Sequence, residues 1–276
     1  MAISRIERAS DERVAHYDAF SDRKLRCLGD PPAATMILES LNVIEAAVGQ
    51  GVVLRSVLVD ERHLETLLDR IPVLATDETP VYVANRATLS AISGFRVSRG
   101  YFAEAQRSRP HDFWQLAPGA RRLVVLEALT DVTNVGALFR SASALGADGV
   151  VLAPMCADPL NRRSIRVSMG TVFQVPWCVA PTPWPAVALD ALGQWGYLRA
   201  GMALVDGALR LDDPTLKRHE RLALLFGGEG WGLSAKALAA CDCPVAIPMA
   251  HGVDSLNVAA SSAVALWELF ARGDVR

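Results

Sequence analysis

Two stretches near the C-terminus decide the predicted fold: LALLFGGEGWGLS at residues 222–234 and IPMAHGVDSLNVAASSAVALWEL at residues 247–269. Each begins with apolar residues typical of a buried strand and continues into a glycine-rich or polar loop. Each then ends in a helical pattern, which begins near Ser234 in the first stretch and near Leu256 in the second. A plain strand–helix turn does not require four glycines in six residues. The pair therefore predicts a site that holds a nucleotide-like ligand through backbone N–H groups.

Apolar strands and helical segments alternate throughout residues 120–276, which predicts a parallel sheet covered by helices on both faces. A similar alternation in residues 1–105 predicts a smaller α/β domain. It begins with a helical arm to about residue 35, followed by a helix from Met36. Residues 106–119 contain two prolines and no periodicity, and we expect them to form a linker. The predicted fold class is therefore α/β with two domains.

The composition is that of a soluble globular protein, with 276 residues, 51% of them hydrophobic, and a net charge of −2. This charge argues neither for nor against a polyanionic partner. No window approaches the ~18 apolar residues of a membrane helix, and the charged N-terminus lacks the apolar segment of a signal peptide. The five cysteines have no zinc-type spacing, so we expect free thiols and a cytoplasmic location; they are Cys27, Cys156, Cys178, Cys241 and Cys243.

A third motif, DVTNVGALFR, occupies residues 131–140 at a predicted strand–helix junction. Asn134 is placed to cap the helix by accepting from backbone N–H groups of the first turn. Arg140 follows nearly two turns later within an otherwise apolar segment. Two interpretations stay open for this segment: a capped helix whose arginine reaches the surface, or a functional arginine.

Polar residues in the two C-terminal loops narrow the class of ligand. Glu229 lies among the glycines and would repel a phosphate, which favours a ribose or a positively charged group. Ser255 and Asn257 precede the last helix, where they can cap it or hold polar groups of a ligand. A dinucleotide fold would carry its glycines in the first strand–helix turn of the domain, and here they come near the end. The sequence contains neither a P-loop motif nor a cluster of metal ligands, so we expect no metal.

These three motifs, in this order and spacing, resemble the signature of the SpoU/TrmH family of RNA ribose methyltransferases. The resemblance extends from Leu123 to Arg272, and residues 1–105 resemble more faintly the RNA-binding domain often fused ahead of that core. It implies a deep trefoil knot in the C-terminal domain, S-adenosylmethionine as cofactor, and a homodimer. It further implies cofactor contacts from the two C-terminal loops, namely Gly227, Gly228, Gly230, Ile247, Met249, Leu256 and Asn257.

The resemblance also implies transfer of a methyl group to a ribose 2′-hydroxyl, a weak nucleophile that must be aligned and deprotonated. Arg140 takes the catalytic position, either as the base or as a clamp on the adjacent phosphate, because an ordinary guanidinium is a poor base. Asn134, Glu229, Ser255 and Asn257 complete the polar frame. Family members often carry Asn where this chain has Gly228, and we expect no loss of activity from that difference.

The predicted function is therefore 2′-O-methylation of structured RNA, with ribosomal RNA favoured over transfer RNA because of the N-terminal domain. An RNA-binding protein that has lost catalysis is one alternative, and a nicotinamide-dependent oxidoreductase is another. Since the overall charge is balanced, RNA affinity is expected to depend on a local arginine patch. The sequence offers one candidate patch, formed by Arg162, Arg163 and Arg166.

Overall fold

The computed structural model describes residues 2–18, 33–76, 78–251, 253 and 255–271. The chain divides into two compact units. Unit 1 comprises Met1–Ser108 and Leu160–Phe173, and unit 2 comprises Arg109–Pro159 and Gln174–Arg276. The division differs from the predicted one because residues 160–173 pack with unit 1, although they lie within the predicted second domain.

Ten α-helices occur among the described residues. Those in the first half of the chain are α1 (Leu41–Gly49), α2 (Leu64–Arg70), α3 (Val73–Thr76), α4 (Arg86–Ser93) and α5 (Phe113–Gly119). Those in the second half are α6 (Val132–Ala144), α7 (Arg162–Val167), α8 (Ala186–Gln194), α9 (Ala235–Ala239) and α10 (Val258–Leu269). Unit 1 holds α1–α4 and α7, and unit 2 holds the other five.

Unit 1 is built on a five-stranded sheet in the order β1-β4-β3-β5-β2. β1, β4 and β3 are parallel, whereas β5 is antiparallel to both β3 and β2. The strands are β1 (Ala2–Arg5), β2 (Thr35–Glu39), β3 (Leu54–Asp60), β4 (Pro80–Ala84) and β5 (Tyr101–Gln106). Most of β3 and all of β2 are buried, and each contains three consecutive apolar residues, Met36–Leu38 and Val57–Val59.

Two predictions for the N-terminal region were wrong. Ala2–Arg5 is a strand rather than part of a helical arm, because it pairs with β4, about 80 residues away. Thr35–Glu39 is also a strand, and the helix predicted from Met36 begins only at Leu41. Met36, Ile37 and Leu38 are consecutive buried residues, and one helix face would not bury all three. Within the predicted arm, Glu12–Tyr17 forms a short 3₁₀ helix, and residues 19–32 lie outside the described residues.

Unit 2 is built on a seven-stranded sheet in which every observed pairing is parallel, as predicted. Its order is β10-β12-β9-β11-β6-β7-β8. The strands are β6 (Arg122–Leu126), β7 (Gly149–Leu152), β8 (Trp177–Val179), β9 (Leu198–Met202), β10 (Leu209–Arg210), β11 (Leu222–Phe226) and β12 (Cys243–Ala246). β11 lies between β6 and β9, and β12 between β9 and β10. The carboxyl ends of β9, β11 and β12 are therefore neighbours at one edge of the sheet.

The predicted linker contains a helix instead. Asp112 caps α5 by accepting from the Trp114 N–H at 3.1 Å, and Phe113 and Ala117 of this helix are buried in the core of unit 2. Pro118 stands in the last turn, where it made the segment look irregular in sequence. Residues 113–119 thus belong to the folded unit and do not form a spacer.

Free thiols are confirmed for the four described cysteines, while Cys27 lies outside the described residues. Burial raises the pKa of the Cys178 and Cys241 thiols to about 12, which keeps them protonated and unreactive at neutral pH. Among the described helices, none has the length and apolar character needed to cross a lipid bilayer.

Candidate functional site

A cavity of about 580 Å³ lies at the carboxyl ends of β9, β11 and β12. Its volume falls within the ~300–1,000 Å³ range of small-molecule sites. The structure brings together in its wall nine of the residues singled out from the sequence: Gly227, Gly228, Glu229, Gly230, Ile247, Met249, Ser255, Leu256 and Asn257. Sequence reasoning missed the third contributor, the segment from Met202, the last residue of β9, to Leu204. The adjacency of β9 to β11 and β12 depends on strand order, for which local sequence carries no signal.

The glycine loop after β11 is closed upon itself. The Gly232 N–H donates to the Gly228 carbonyl at 2.9 Å. A Cβ at Gly227 would lie 2.0 Å from the Gly232 carbonyl carbon, and a Cβ at Gly228 would lie 2.4 Å from the Ala128 carbonyl oxygen. Both obstacles are backbone, so these two glycines are required by packing. The asparagine often found in the family at the position of Gly228 therefore does not fit this backbone.

Glu127, which the sequence did not single out, anchors the start of α9. Its side chain is buried, and one carboxylate oxygen accepts from the Ser234 N–H at 2.7 Å. The other oxygen accepts from the Ser234 hydroxyl at 2.8 Å and from the Trp184 indole N–H at 2.6 Å. A buried carboxylate with three donors fixes the end of the glycine loop. An acid directly after a buried strand, in VVLEAL, is the sequence signal that could have identified it.

The Asn134 cap predicted for α6 was wrong. Asp131 is the N-cap and accepts from the Thr133 N–H, whereas Asn134 is buried inside the helix. Asn134 instead accepts from the Asn257 side-chain amide at 3.3 Å. Asn257 in turn caps α10 by accepting from the Ala259 N–H at 2.9 Å, as one of the sequence interpretations proposed. The two asparagines thus join α6 to a residue of the cavity wall.

Arg140 does not line the cavity. It is exposed on α6, six residues beyond Asn134, which corresponds to ~9 Å along a helix axis. Its guanidinium makes no hydrogen bond or ion pair with any residue that the structure describes. Glu229, by contrast, is an exposed carboxylate at the cavity wall.

The three arginines predicted as an RNA-binding patch do not share one environment. All three lie on α7 in unit 1, but Arg162 is buried, forms an ion pair with Glu39, and donates to the Tyr17 carbonyl at 3.0 Å. The prediction is therefore wrong for Arg162, which packs inside unit 1. Arg163 and Arg166 are exposed, and Arg166 also pairs with Glu39, at 3.0 Å.

No group of three or more His, Cys, Asp or Glu side chains that could hold a metal ion occurs in the described part of the chain. The chemistry of the cavity wall is supplied instead by backbone, amide, hydroxyl and carboxylate groups.

Comparison with known proteins assigns the family. The sequence profile of the "SpoU rRNA Methylase family" matches residues 121–267. A tRNA/rRNA methyltransferase of Mycobacterium tuberculosis is 38% identical over 85% of this chain and 80% of the relative. The 23S rRNA (guanosine(2553)-2′-O)-methyltransferase RlmP of Bacillus subtilis is 28% identical over 97% of this chain and 99% of the relative.

A solved structure agrees over nearly the whole chain. The SpoU methyltransferase AviRb from Streptomyces viridochromogenes, in complex with the cofactor AdoMet, superposes with a TM-score of 0.75 at 25% identity. The match covers 94% of this chain and 98% of AviRb. The profile match spans more than half of the chain and includes residues 131–140, 222–234 and 247–267 of the three motifs, so this protein belongs to the SpoU rRNA methylase family.

Proposed function

We propose that this protein transfers a methyl group from S-adenosylmethionine to the 2′-hydroxyl of a ribose in structured RNA, with ribosomal RNA favoured over transfer RNA. The observation that carries the proposal is the cavity formed by the very loops that bear the family motifs. The RlmP relative, named for 2′-O-methylation of 23S rRNA and similar over nearly the full length of both chains, supports ribosomal RNA over transfer RNA.

The chemistry of the cavity wall fits S-adenosylmethionine better than a dinucleotide. Among the described residues that line it, Glu229 is the single charged side chain, and none is cationic. A carboxylate favours a ligand with a positively charged sulfonium and repels a pyrophosphate. When bound, S-adenosylmethionine supplies an activated methyl group. Gly227, Ile247 and Leu256 would hold it through their backbone, and Met249, Gly228 and Gly230 would form the surrounding wall.

The polar residues near the cavity would orient the ribose. Asn257 and Asn134 form a hydrogen-bonded pair at its edge, and Ser255 and Glu229 face the same space. Arg140 lies beyond them on α6, where its free guanidinium is suited to hold a phosphate of the substrate. The clamp and base roles for Arg140 both remain part of this proposal.

A homodimer is part of the same proposal. On α10, Ala260, Val264 and Trp267 are exposed at helical spacing and form an apolar stripe. Trp231 in the glycine loop is 97% exposed. Large exposed apolar side chains next to a ligand cavity are typical of protein interfaces, and a second copy of this chain would cover them.

The deep trefoil knot in the C-terminal domain is also part of this proposal. β11 and β12, the last two strands, each lie between strands that precede them in the chain. Such an insertion order supports a chain that threads through an earlier loop, which is a rare arrangement.

We place the protein in the cytoplasm with its proposed RNA substrate.

Methyl transfer from tritiated S-adenosylmethionine to ribosomal RNA of a strain lacking the gene tests the function. We expect label at a 2′-O position, identified by resistance of the adjacent phosphodiester to alkaline cleavage. Calorimetry should separately detect S-adenosylmethionine binding. Cofactor binding without transfer would favour the inactive RNA-binding alternative, and label on a base would contradict the proposed reaction.

A further inference from the structure

Unit 1 contains its own cavity, of about 320 Å³, which the family motifs do not explain. It lies between the end of β2, helix α7 and the loop FRVSRG at residues 95–100. Its volume is at the lower end of the ~300–1,000 Å³ range of ligand sites. The wall combines an aromatic ring, a buried hydroxyl and charged groups, and this combination indicates a ligand with both a ring and an anionic part.

Ser40, at the end of β2, has the features of a residue kept for binding. Its backbone has φ 87° and ψ 148°, a region that is almost restricted to glycine and costs other residues ~1–3 kcal/mol. The residue is 4% exposed and lines the cavity. Although Ser40 stands at the N-cap of α1, its hydroxyl makes no capping bond and has no partner among the described residues. A buried hydroxyl in this state is suited to bond a ligand.

The charge around the cavity is positive. Glu39 is the one carboxylate in the described wall, and Arg162 and Arg166 both pair with it. Arg166 remains half-exposed at 48%, and Arg99 is an exposed wall residue without an ion-pair partner among those described. The wall holds two guanidiniums against one carboxylate, and Arg162, which pairs with Glu39 without lining the cavity, adds a third cation. This excess of positive charge attracts an anion such as a phosphate.

Phe95 supplies an aromatic surface. Its ring meets Phe102 edge to face at 6.4 Å and 71°, and the Arg162 guanidinium lies 5.3 Å from its centroid. These contacts hold the ring in place, yet 36% of the residue is exposed, and it lines the cavity. Fixed and partly exposed aromatic rings are the platforms on which proteins stack unpaired RNA bases.

The loop 95–100 also borders a second basic cleft. Arg86 and Arg96 line this cleft together with Ser90, Ser98 and Val97, and the last two also line the Ser40 cavity. Cations therefore extend from one side of the loop to the other. A nucleic-acid backbone that passes over the loop would meet guanidiniums on both sides.

We propose that the Ser40 cavity binds an unpaired nucleotide of the RNA substrate. The base of this nucleotide stacks on Phe95 and forms a hydrogen bond with the Ser40 hydroxyl. The flanking phosphates of the RNA pair with Arg99 and Arg166. The strand continues over Arg96 and Arg86. This inference rests on the proposed function only in taking RNA as the substrate, and it assigns to unit 1 a nucleotide site separate from the methyl-transfer cavity.

Fluorescence anisotropy with a labelled single-stranded RNA of about 12 nucleotides tests the site, since common single-strand sites span ~4–16 nucleotides. Phe95→Ala should weaken binding roughly 5- to 150-fold, the range for loss of one stacked base. Phe95→Leu keeps apolar volume without the aromatic face and should lose most of the same affinity. Ser40→Ala keeps the same backbone strain, so the variant should be as stable as the wild type. It should weaken RNA binding roughly 2- to 10-fold.

The charge contribution is tested by Arg99→Ala, which should lower the slope of log affinity against log salt by about 1. The matched controls are Arg8→Ala and Val53→Ala, which remove an exposed arginine and an exposed valine of unit 1 that do not line the cavity. Both should keep the wild-type affinity. Thermal unfolding of each variant verifies that the fold is retained.

The outcomes separate this site from the proposed reaction. Wild-type affinity in Phe95→Leu and Ser40→Ala, with methyl transfer intact, would overturn the nucleotide site alone. Equal competition by ribose 5-phosphate and by mononucleotides would reduce it to an anion site and also overturn the stacked base. Failure of the wild-type protein to bind S-adenosylmethionine would instead count against the proposed function.

Discussion

Gly228→Ala should destabilise unit 2 even without any ligand. The added Cβ would lie 2.4 Å from the Ala128 carbonyl oxygen, and ordinary C···O contacts begin near 3.3 Å. The loop or the Ala128 backbone must therefore move by about 0.9 Å, and overpacking of this kind costs about 1–3 kcal/mol. The unfolding midpoint of the ligand-free protein should fall by roughly 2–4 °C for each kcal/mol lost.

The same loop provides the control. A Cβ at Gly230 meets nothing within 4 Å, so Gly230→Ala should leave the midpoint of the ligand-free protein unchanged. Because Gly228 also lines the cavity, a loop displaced by this distance should weaken S-adenosylmethionine binding about tenfold or more, measured by calorimetry. Equal midpoints for Gly228→Ala and wild type would refute the reasoning, and so would equal losses in the two alanine variants.

Three further substitutions test other parts of the structure. Arg140→Ala should abolish methyl transfer while S-adenosylmethionine affinity, measured by calorimetry, stays at the wild-type value; near-wild-type turnover would exclude a catalytic role. Glu127→Gln replaces one carboxylate oxygen by an amide NH2 group, which cannot accept from the Ser234 N–H or, in the other orientation, from the Trp184 indole N–H. Unfolding by denaturant should therefore show a free energy of unfolding lower by about 1–3 kcal/mol; an unchanged midpoint would contradict the anchoring role. Hydrogen bonds from Arg62 lower the pKa of Asp60 to about 2, so its ion pair stabilises the fold above the unfolded pKa near 3.8. Asp60→Asn should lose up to about 2 kcal/mol at pH 7, and this difference should vanish as the pH falls from about 4 towards 2; a pH-independent difference would refute it.

The sequence was sufficient to bring together the two C-terminal loops of the cavity wall, but it did not reveal the segment Met202–Leu204. Gly227, Ile247 and Leu256 lie in loops that follow parallel strands, and the carboxyl ends of neighbouring parallel strands meet at one edge of a sheet. That regularity needs only the alternation of strands and helices. The starts of α9 and α10, at Ser234 and Asn257, could also be predicted from the sequence, because capping is a local interaction.

Interactions between residues distant in sequence could not be predicted from local patterns. Arg162 was expected on a surface, but its partner Glu39 lies 123 residues earlier and no local pattern links them. The start of the predicted helix from Met36 was misjudged because Leu38 and Leu41 fit the spacing of one helix as well as they fit a strand followed by a helix. Asn134 and Asp131 are both good capping residues, and only the residue at which α6 begins distinguishes them.

The return of residues 160–173 to unit 1 has a consequence for the order of events during synthesis. A ribosome that has completed residue 108 has not yet made Arg162 or Arg166, which neutralise the buried Glu39. At ~5–20 residues per second, the missing segment arrives several seconds later. Unit 1 is therefore expected to remain incompletely packed while residues 109–159 of unit 2 are synthesised. We therefore expect that a chain truncated after residue 108 does not fold as an independent unit.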